Sequence, residues 1–284
     1  MKTARHYGLL GDPVHHSLSP RLYREAFSFL RMHAEYSAYR VARGERDALR
    51  TRMLELGASG GGNVTVPHKR LAAEQLSERS GAIDRTGACN CFWLDSDGRL
   101  AGDNTDVRGF LDATADLPRL RLAGSSVLLI GAGGAARAVA VACCESGVRS
   151  LAVHNRSVQR AEGLISDLAI DSIAEIASER RIATEAWDLV VNATSLGLGA
   201  NDELPLELEP DRFGFAMDLV YGSGGTRWTR HAEDLSIPAI DGLSMLVSQA
   251  ACSLERWIGP LPDRKAVVSA MWDAVSGDAA PGSR

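Results

Sequence analysis

At 284 residues and 45% hydrophobic composition, the chain is long enough to bury the cores of two ordinary domains or of one large domain. No apolar run approaches the ~18 residues that would indicate a membrane span, and the N-terminus lacks a secretory pattern. The net charge of -5 disfavours nucleic acid as a main partner, because phosphate binding requires a basic surface.

The cysteine content favours a reducing compartment. An odd number of cysteines in a chain that is neither short nor secretory is most simply interpreted as free thiols, which predicts a cytoplasmic protein. The spacing of Cys89 and Cys91 could hold a metal ion, but no second pair of ligands accompanies it, so we expect no metal site. The cysteines are Cys89, Cys91, Cys143, Cys144 and Cys252.

The first hundred residues mix strand and helix patterns. The helix that starts at Ser19-Pro20 has the clearest signal, because proline suits the first helical position and apolar residues follow at three- and four-residue spacing. A second helix is predicted over 46–56. Strands are predicted over 6–10, 34–41, 63–66, 89–94 and 99–101, the last two forming a hairpin around Asp97-Gly98.

From Ser126 onward the pattern is that of alternating strands and helices. The continuous apolar run over 127–130 is typical of a strand buried on both faces of a parallel sheet. The alternation predicts a doubly wound α/β domain, followed by two C-terminal helices over 243–257 and 263–275. The further elements are strands over 150–153, 188–191, 215–220 and 237–240, and helices over 135–146 and 158–169.

A glycine-rich turn joins the first of these strands to its helix. Gly131-Ala132-Gly133-Gly134-Ala135-Ala136 fits the G-x-G-x-x-G/A form of the dinucleotide fingerprint. The first glycine permits the tight turn, the second lets the backbone approach a pyrophosphate, and the helix N-terminus offers free N–H groups. The alternative is a glycine-rich turn that binds no ligand.

The residues after the next strand favour NADP over NAD. A site for NAD usually places Asp or Glu about 20 residues after the glycine loop, against the ribose hydroxyls. This sequence has Asn155-Arg156-Ser157 there, with Arg160 one turn later and no carboxylate. A guanidinium can pair with the 2′-phosphate of NADP, and Ser157 can add a hydroxyl. The alternative is a helix cap at Ser157 beside solvated arginines.

Two polar clusters lie in the N-terminal part. Ser17 and Ser19 precede a helix N-terminus, which suits a carboxylate ligand, although Ser19 alone is read more simply as the helix cap. Lys69 falls in the first turn of a helix directly after a strand. The helix dipole disfavours a cation there, so a functional role would explain the position. An ordinary surface lysine stays the alternative.

Two more polar clusters follow. The segment 102–106 is interpreted as a polar loop that could deliver Asp106 to a cleft, or alternatively as an Asp/Asn-rich turn with a helix cap. In the segment 241–249, Gln249 falls on the same helix face as Met245 and Cys252, an unusual place for an amide. A buried glutamine with satisfied hydrogen bonds is the alternative there.

Taken together, these segments resemble the shikimate dehydrogenase family, and they occur in that family's order over almost the whole chain. The matching segments are 11–20, 63–69, 102–106, 131–136, 155–157, 192–195, 218–221 and 241–249.

The resemblance implies roles for the matching residues. Lys69 and Asp106 would be the catalytic pair, and Gly242 would touch the nicotinamide through its backbone. The substrate-binding residues would be Ser17, Ser19, Thr65, Asn90, Tyr221 and Gln249. The cofactor-binding residues would be Gly131, Ala132, Gly133, Gly134, Ala135, Asn155, Arg156, Ser157, Arg160, Thr194, Ser195, Leu219 and Gly242.

The resemblance also implies an architecture and an activity. The expected fold is an N-terminal α/β substrate domain over 1–106, completed by helices within 243–284, plus a doubly wound Rossmann NADP-binding domain over 107–242, with the active site in the cleft between them. The expected activity is the NADPH-dependent, reversible reduction of 3-dehydroshikimate to shikimate in aromatic amino-acid biosynthesis, by a monomer or homodimer.

Two alternatives to that activity stay open. One is a quinate/shikimate dehydrogenase of broader specificity, although Arg156 disfavours the NAD preference that is common among quinate enzymes. The other is a non-catalytic NADP-binding regulator of the same fold. The presence of both Lys69 and Asp106 disfavours this second alternative.

Overall fold

The computed structural model of the chain describes residues 4–115, 117–197, 202–222 and 224–276. These residues divide into two compact units, one formed by 4–109 together with 246–276, and the other by 110–245. Residues 1–3 and 277–284 of the predicted substrate domain lie outside the described part. No helix in the described ranges is both long enough and apolar enough to cross a membrane.

The first unit is built on a mixed sheet. In its described part, six strands have the order β2-β1-β3-β5-β6-β4. The strand β1 runs parallel to β2 and β3, whereas β5 is antiparallel to both β3 and β6. The strands are β1 (Arg5–Gly11), β2 (Ala34–Arg40), β3 (Gly61–Val64), β4 (Glu78–Arg79), β5 (Cys91–Leu94) and β6 (Leu100–Asp103).

Helices of this unit pack on the sheet and on one another. The apolar residues of α1 fall at three- and four-residue spacing, so Leu22, Tyr23, Ala26 and Phe27 are buried together on one face. The helices are α1 (Ser19–Phe29), α2 (Arg46–Ser59), α3 (Lys69–Ala73), α4 (Gly81–Thr86) and the first part of α5 (Thr105–Ala115), with most of one C-terminal helix and the whole of the next.

Three details of this unit differ from the sequence-based expectation. Ser19 is not the helix cap, because Leu18 occupies the cap position and Ser19 is already helical. The strand predicted over 63–66 instead spans Gly61–Val64 and includes two glycines. A Cβ atom added to Gly62 would lie 2.5 Å from the Gly8 carbonyl oxygen, so close strand packing requires glycine there. The segment 102–106 is no loop, since it ends β6 and begins α5.

The second unit has the doubly wound topology that its alternating pattern predicts. Its described strands are all parallel, in the order β12-β11-β10-β7-β8-β9, so the chain starts in the middle of the sheet and winds outward in both directions. The order reverses between β7 and β10. The strands are β7 (Ser126–Ile130), β8 (Ser150–His154), β9 (Ala174–Ile176), β10 (Leu189–Asn192), β11 (Ala216–Asp218) and β12 (Ala239–Ile240).

Crossover helices connect these parallel strands. The core that they cover includes Trp187 and Phe213, which lie outside the helices, and Trp228, which lies on one of them. The helices are α6 (Gly134–Glu145), α7 (Val158–Leu168), α8 (Glu179–Thr184) and α9 (Arg227–Asp234), followed by the C-terminal helices α10 (Leu243–Ile258) and α11 (Arg264–Ser276).

Candidate active site

The side chains of Lys69 and Asp106 form an ion pair in the first unit. Lys69 is the first residue of α3, directly after the connection that follows β3, and its Nζ lies 2.6 Å from Asp106 Oδ2. Both side chains are largely withdrawn from solvent, with 13% and 6% of their surface exposed. The carboxylate therefore supplies the counter-charge that a lysine in a first helical turn needs.

Local structure at the start of α5 fixes the position of Asp106. The side chain of Asn104 caps this helix, because its Oδ1 accepts a hydrogen bond from the Asp106 N–H at 3.2 Å. A carboxylate in the first turn also interacts favourably with the helix dipole. The reading of this segment as a turn with a helix cap is thus the one that the structure supports.

Two carboxamides from distant parts of the chain adjoin this pair. Asn90, just before β5, donates from Nδ2 to Asp106 Oδ1 at 2.8 Å, and the same nitrogen lies 3.2 Å from Gln249 Oε1 on α10. Gln249 donates in turn from Nε2 to the Leu246 carbonyl oxygen at 2.8 Å. A positively charged donor, a carboxylate and two amides therefore meet in one place, a set suited to proton transfer and to hydroxyl binding.

The predicted carboxylate-binding serines lie in the connection between β1 and α1. Ser17 Oγ accepts a hydrogen bond from the Ser19 N–H at 3.2 Å, so it is Ser17 that bonds to the first helical N–H. The Ser19 hydroxyl has no hydrogen-bond partner among the described residues. Thr65 belongs to the neighbouring connection, four residues before Lys69. The Asp12 N–H donates to the Val66 carbonyl oxygen at 2.9 Å, which joins the two connections.

Three polar residues near the ion pair were not identified from the sequence. Asn63 at β3, Thr105 beside Asp106, and Ser253 on α10 are all buried and hydrogen-bonded to the residues described above. The position of Ser253, one helical turn after Gln249, was the available signal. The predicted residues Tyr221 and Gly242 belong to the second unit.

In the glycine loop of the second unit, Gly131 and Gly133 are glycines for different reasons. Gly131 has a φ of 115°, and a Cβ atom there would lie 3.0 Å from the Ala193 carbonyl, so both conformation and packing require glycine. Gly133, in contrast, is exposed, and an added Cβ would meet no protein atom within 4 Å. Since packing does not explain Gly133, the open space beside its backbone suits an approaching ligand such as a pyrophosphate.

The neighbouring loop after β8 presents two cations to solvent. Arg156 and Arg160 are exposed, and their side chains form no ion pair or hydrogen bond within the described part of the chain. Ser157 occupies the cap position of α7, but its hydroxyl bonds to Gln159 Oε1 at 3.2 Å and does not cap the helix. The arginines are therefore available to an anionic group, as the 2′-phosphate of NADP would require.

The other predicted cofactor residues follow β10, β11 and β12, at the same sheet edge as the glycine loop. Thr194 donates from its N–H and from Oγ1 to Asn192 Oδ1, at 3.0 and 2.7 Å, and Ser195 next to it is exposed. Gly242 donates from its N–H to the Val220 carbonyl oxygen at 2.9 Å. A Cβ at Gly242 would lie 2.3 Å from the Leu219 carbonyl oxygen, so no other residue fits there.

The buried carboxylate of Asp218 is hydrogen-bonded to several segments at this sheet edge. Asp218, at the end of β11, accepts hydrogen bonds from Asn192 Nδ2 at 2.8 Å, from the Val220 N–H at 3.0 Å and from Thr226 Oγ1 at 2.7 Å. Burial raises the pKa of Asp218 to about 6, although these three donors favour the charged form. The charge of this group is thus sensitive to pH near neutrality.

The cysteines are free, and three of them are buried. Burial raises the pKa of the Cys89 thiol to about 12 and the pKa values of Cys91 and Cys143 as well. These side chains pack as small apolar groups and are not reactive thiolates.

Comparison with known proteins identifies the family of this chain. Residues 9–92 match the model of the shikimate dehydrogenase substrate binding domain, and residues 113–197 match that of shikimate / quinate 5-dehydrogenase. A shikimate dehydrogenase (NADP(+)) of Hyphomonas neptunium is 41% identical over 260 residues, which cover 90% of this chain and 92% of that protein. The chain belongs to the shikimate dehydrogenase family.

Solved structures of this family share the fold. The shikimate 5-dehydrogenase of Thermus thermophilus, in complex with NADP(H) and shikimate, has a TM-score of 0.79 at 35% identity, covering 95% of this chain and 100% of that one. The shikimate dehydrogenase of Aquifex aeolicus has a TM-score of 0.82 at 27% identity, with 94% and 97% covered. The resemblance to shikimate dehydrogenases and the predicted fold class are thereby confirmed.

Proposed function

We propose that the chain catalyses the reversible, NADPH-dependent reduction of 3-dehydroshikimate to shikimate in aromatic amino-acid biosynthesis. The observation that carries the proposal is the Lys69–Asp106 pair, which joins a proton donor to a carboxylate at 2.6 Å in a member of the shikimate dehydrogenase family. In this proposal the first unit corresponds to the substrate-binding domain and the second to the NADP-binding domain.

Lys69 and Asp106 carry the proton chemistry. Reduction of a ketone builds negative charge on its oxygen, and Lys69 Nζ stabilises that charge by a hydrogen bond and then gives up a proton. In the oxidation direction Lys69 takes the proton back. Asp106 orients the Nζ group through Oδ2, and its contact with Asn90 through Oδ1 holds the carboxylate in place.

The remaining polar side chains of the proposed site bind the substrate. Asn90 and Gln249 bind the ring hydroxyls through their carboxamide oxygens, because their nitrogen atoms already donate within the protein. Ser17 and Ser19 take the substrate carboxylate at the start of α1, where hydroxyl and backbone donors meet. Thr65 and Tyr221 complete the proposed substrate-binding set.

The residues of the second unit fit NADP. The open space beside Gly133 suits the pyrophosphate, and the available guanidinium groups of Arg156 and Arg160 suit the 2′-phosphate. When bound, NADPH supplies the hydride. The proposed cofactor-binding set also includes Gly131, Ala132, Gly134, Ala135, Asn155, Ser157, Thr194, Ser195, Leu219 and Gly242.

The proposal extends to the surroundings of the protein. We place it in the cytoplasm as a monomer or homodimer, with small molecules and neither nucleic acid nor membranes as partners. The net charge of -5 and the free cysteines support this part of the proposal.

An absorbance assay of the reduced nicotinamide tests the function. The purified protein is mixed with shikimate or quinate and with NADP⁺ or NAD⁺, and all four pairs are followed. We expect turnover with shikimate and NADP⁺ to exceed the other three. Efficient turnover of quinate would instead identify an enzyme of broader specificity, and binding of NADP⁺ without turnover of either substrate would identify a non-catalytic regulator.

A further inference from the structure

The hydroxyl of Ser253 joins three separate elements of the first unit. Ser253 lies on α10 and is completely buried. Its Oγ is 2.9 Å from Asn63 Nδ2 at β3, 3.0 Å from Thr105 Oγ1 at the start of α5, and 3.0 Å from the Gln249 carbonyl oxygen in its own helix. A buried hydroxyl among several polar neighbours fixes the direction of several hydrogen bonds at once.

The donor directions can be followed from Asn63. The Tyr36 hydroxyl donates to Asn63 Oδ1 at 2.9 Å, which fixes the orientation of that amide. Asn63 Nδ2 therefore donates its two hydrogens to the Asn90 carbonyl oxygen and to Ser253 Oγ. Ser253 has one hydrogen, and it donates this to the Gln249 carbonyl oxygen. The Tyr23 hydroxyl also adjoins Ser253, but it donates its hydrogen to the Ala250 carbonyl oxygen at 3.3 Å, so the remaining lone pair of Ser253 is left to accept from another donor.

The free lone pair of Ser253 requires a donor, and Thr105 can supply it. Of the acceptors within reach of the Thr105 hydroxyl, Ser253 Oγ at 3.0 Å is nearer than Asn90 Oδ1 at 3.2 Å or Gln249 Oε1 at 3.5 Å. We therefore assign Thr105 as the donor to Ser253, so that Thr105 Oγ1 acts towards Asn90 Nδ2, at 3.0 Å, only as an acceptor. The Thr105 N–H donates to Asn90 Oδ1 at 2.7 Å and fixes this second amide. The two hydrogens of Asn90 Nδ2 thus go to Thr105 and to Asp106 Oδ1. Gln249 Oε1, at 3.2 Å from the same nitrogen, keeps its capacity to accept a ligand hydroxyl.

We propose that Ser253 is a positioning residue of the reaction: it fixes the hydroxyl proton of Thr105, so that Asn90 donates to Asp106 and Gln249 Oε1 stays open to the substrate. The inference rests on the proposed function, because Ser253 acts through the hydrogen bonds that hold the Lys69–Asp106 pair in position. A serine that merely occupies a buried helix position would affect stability alone.

A double-mutant cycle in the full-length protein tests this inference. The variants are Ser253→Ala, Thr105→Val and the pair, all assayed for shikimate oxidation with NADP⁺ well below their melting temperatures. We expect each single variant to lower kcat by about five- to tenfold, the effect of one lost buried hydrogen bond, with KM for NADP⁺ unchanged. The double variant should be no worse than about the poorer single variant, because both act through one chain of bonds.

Two further variants separate positioning from stability. Thr105→Ser keeps the hydroxyl and should recover the kcat that Thr105→Val loses. Val267→Ala opens a cavity at a fully buried position of α11, and should lower the melting temperature while kcat is retained.

Three outcomes would count against these expectations. Normal kcat in Ser253→Ala, or losses that multiply in the double variant, would overturn the role of Ser253 while leaving the proposed function intact. Absence of turnover in the wild-type protein would refute the proposed function itself, and the role of Ser253 with it.

Discussion

The backbone carbonyl oxygen of Lys69 accepts a hydrogen bond from the Cys89 N–H at 2.8 Å. This bond joins the main chain of Lys69, the first residue of α3, to the residue before Asn90, and it does not depend on the Lys69 side chain. Substitution of the Lys69 side chain should therefore leave the local backbone in place.

Lys69→Ala should lower kcat and kcat/KM together by a factor on the order of 10²–10⁴, the usual contribution of a general acid or base. The KM for shikimate should change little, because the lysine stabilises charge that develops in the transition state. Steady-state kinetics measure this, with melting temperature as the check on folding. The matched control is Lys265→Ala, which removes an exposed lysine from α11 and should leave kcat unchanged. Near-normal kcat in Lys69→Ala would refute the catalytic assignment.

We also propose that Asp106 accepts a hydrogen bond from a substrate hydroxyl. Asp106→Asn should therefore be severe, raising KM for shikimate as well as lowering kcat. The combined Lys69→Ala and Asp106→Asn variant should lose less than the product of the two single losses, since both groups serve one proton transfer. The same kinetic assay decides this. Losses that multiply would show that the two residues act independently.

Arg156→Ala should raise KM for NADP⁺ far more than KM for NAD⁺, because only NADP⁺ carries the 2′-phosphate. The wild-type protein should prefer NADP⁺ by at least about tenfold in kcat/KM, since one charge-assisted contact contributes ~1.5–3 kcal/mol. Arg180→Ala, which removes an exposed arginine from α8, serves as the control. Equal efficiency of the wild-type protein with both cofactors would contradict the assignment.

Replacing Ser17 and Ser19 together by alanine should weaken shikimate binding and leave NADP⁺ affinity almost intact. Removal of the Ser19 hydroxyl should not weaken the cap of α1, because Ser19 lies inside the helix and its hydroxyl caps no N–H group in the described structure. Any loss of shikimate binding at Ser19 would therefore come from the substrate contact. The measurement is KM for shikimate and a direct binding titration with NADP⁺. An unchanged KM in a folded double variant would leave these serines with a purely structural role.

Asp218 should make the stability of the protein depend on pH. Its pKa is about 6 in the folded state against 3.8 for an ordinary aspartate, so the folded state holds the proton more tightly between those values. Its contribution is most favourable below pH 4 and is lost as pH rises through 6, with a difference of about 3 kcal/mol. Unfolding of wild type and Asp218→Asn should therefore differ in pH dependence, the variant gaining relative stability from pH 4 to pH 7. Parallel pH profiles would contradict this.

Local sequence patterns were sufficient for the elements whose signals lie within a few residues. The glycine loop, the apolar strand over 127–130 and the lysine in the first turn of a helix were all predicted, because turn geometry and helix periodicity act locally. The capping motif of α9 was missed. It pairs Thr226 with Thr229, whereas the usual signal has Glu or Gln at the last position.

Relationships between distant residues could not be predicted from spacing. Ser253 and Thr105 are 148 positions apart, and nothing in either local pattern indicates that their hydroxyls meet. Likewise the sequence left the polar segment 102–106 open between a loop and a turn with a helix cap, because its helix start depends on Asn104 acting as cap and not on an apolar repeat. The strand at Gly61 and Gly62 was placed too late for a similar reason, since its glycines are required by packing against β1 and β5.

Chemical labelling of the buried cysteines can measure local unfolding of the protein. Cys89 and Cys91 lie in the first unit and Cys143 in the second, and their raised pKa values keep them as inert thiols while each unit is closed. An alkylating reagent reaches them only when the surrounding structure opens. The time course of labelling at each cysteine, followed by mass spectrometry of peptides, would thus report how often each half of the molecule unfolds locally, without any added dye or engineered label.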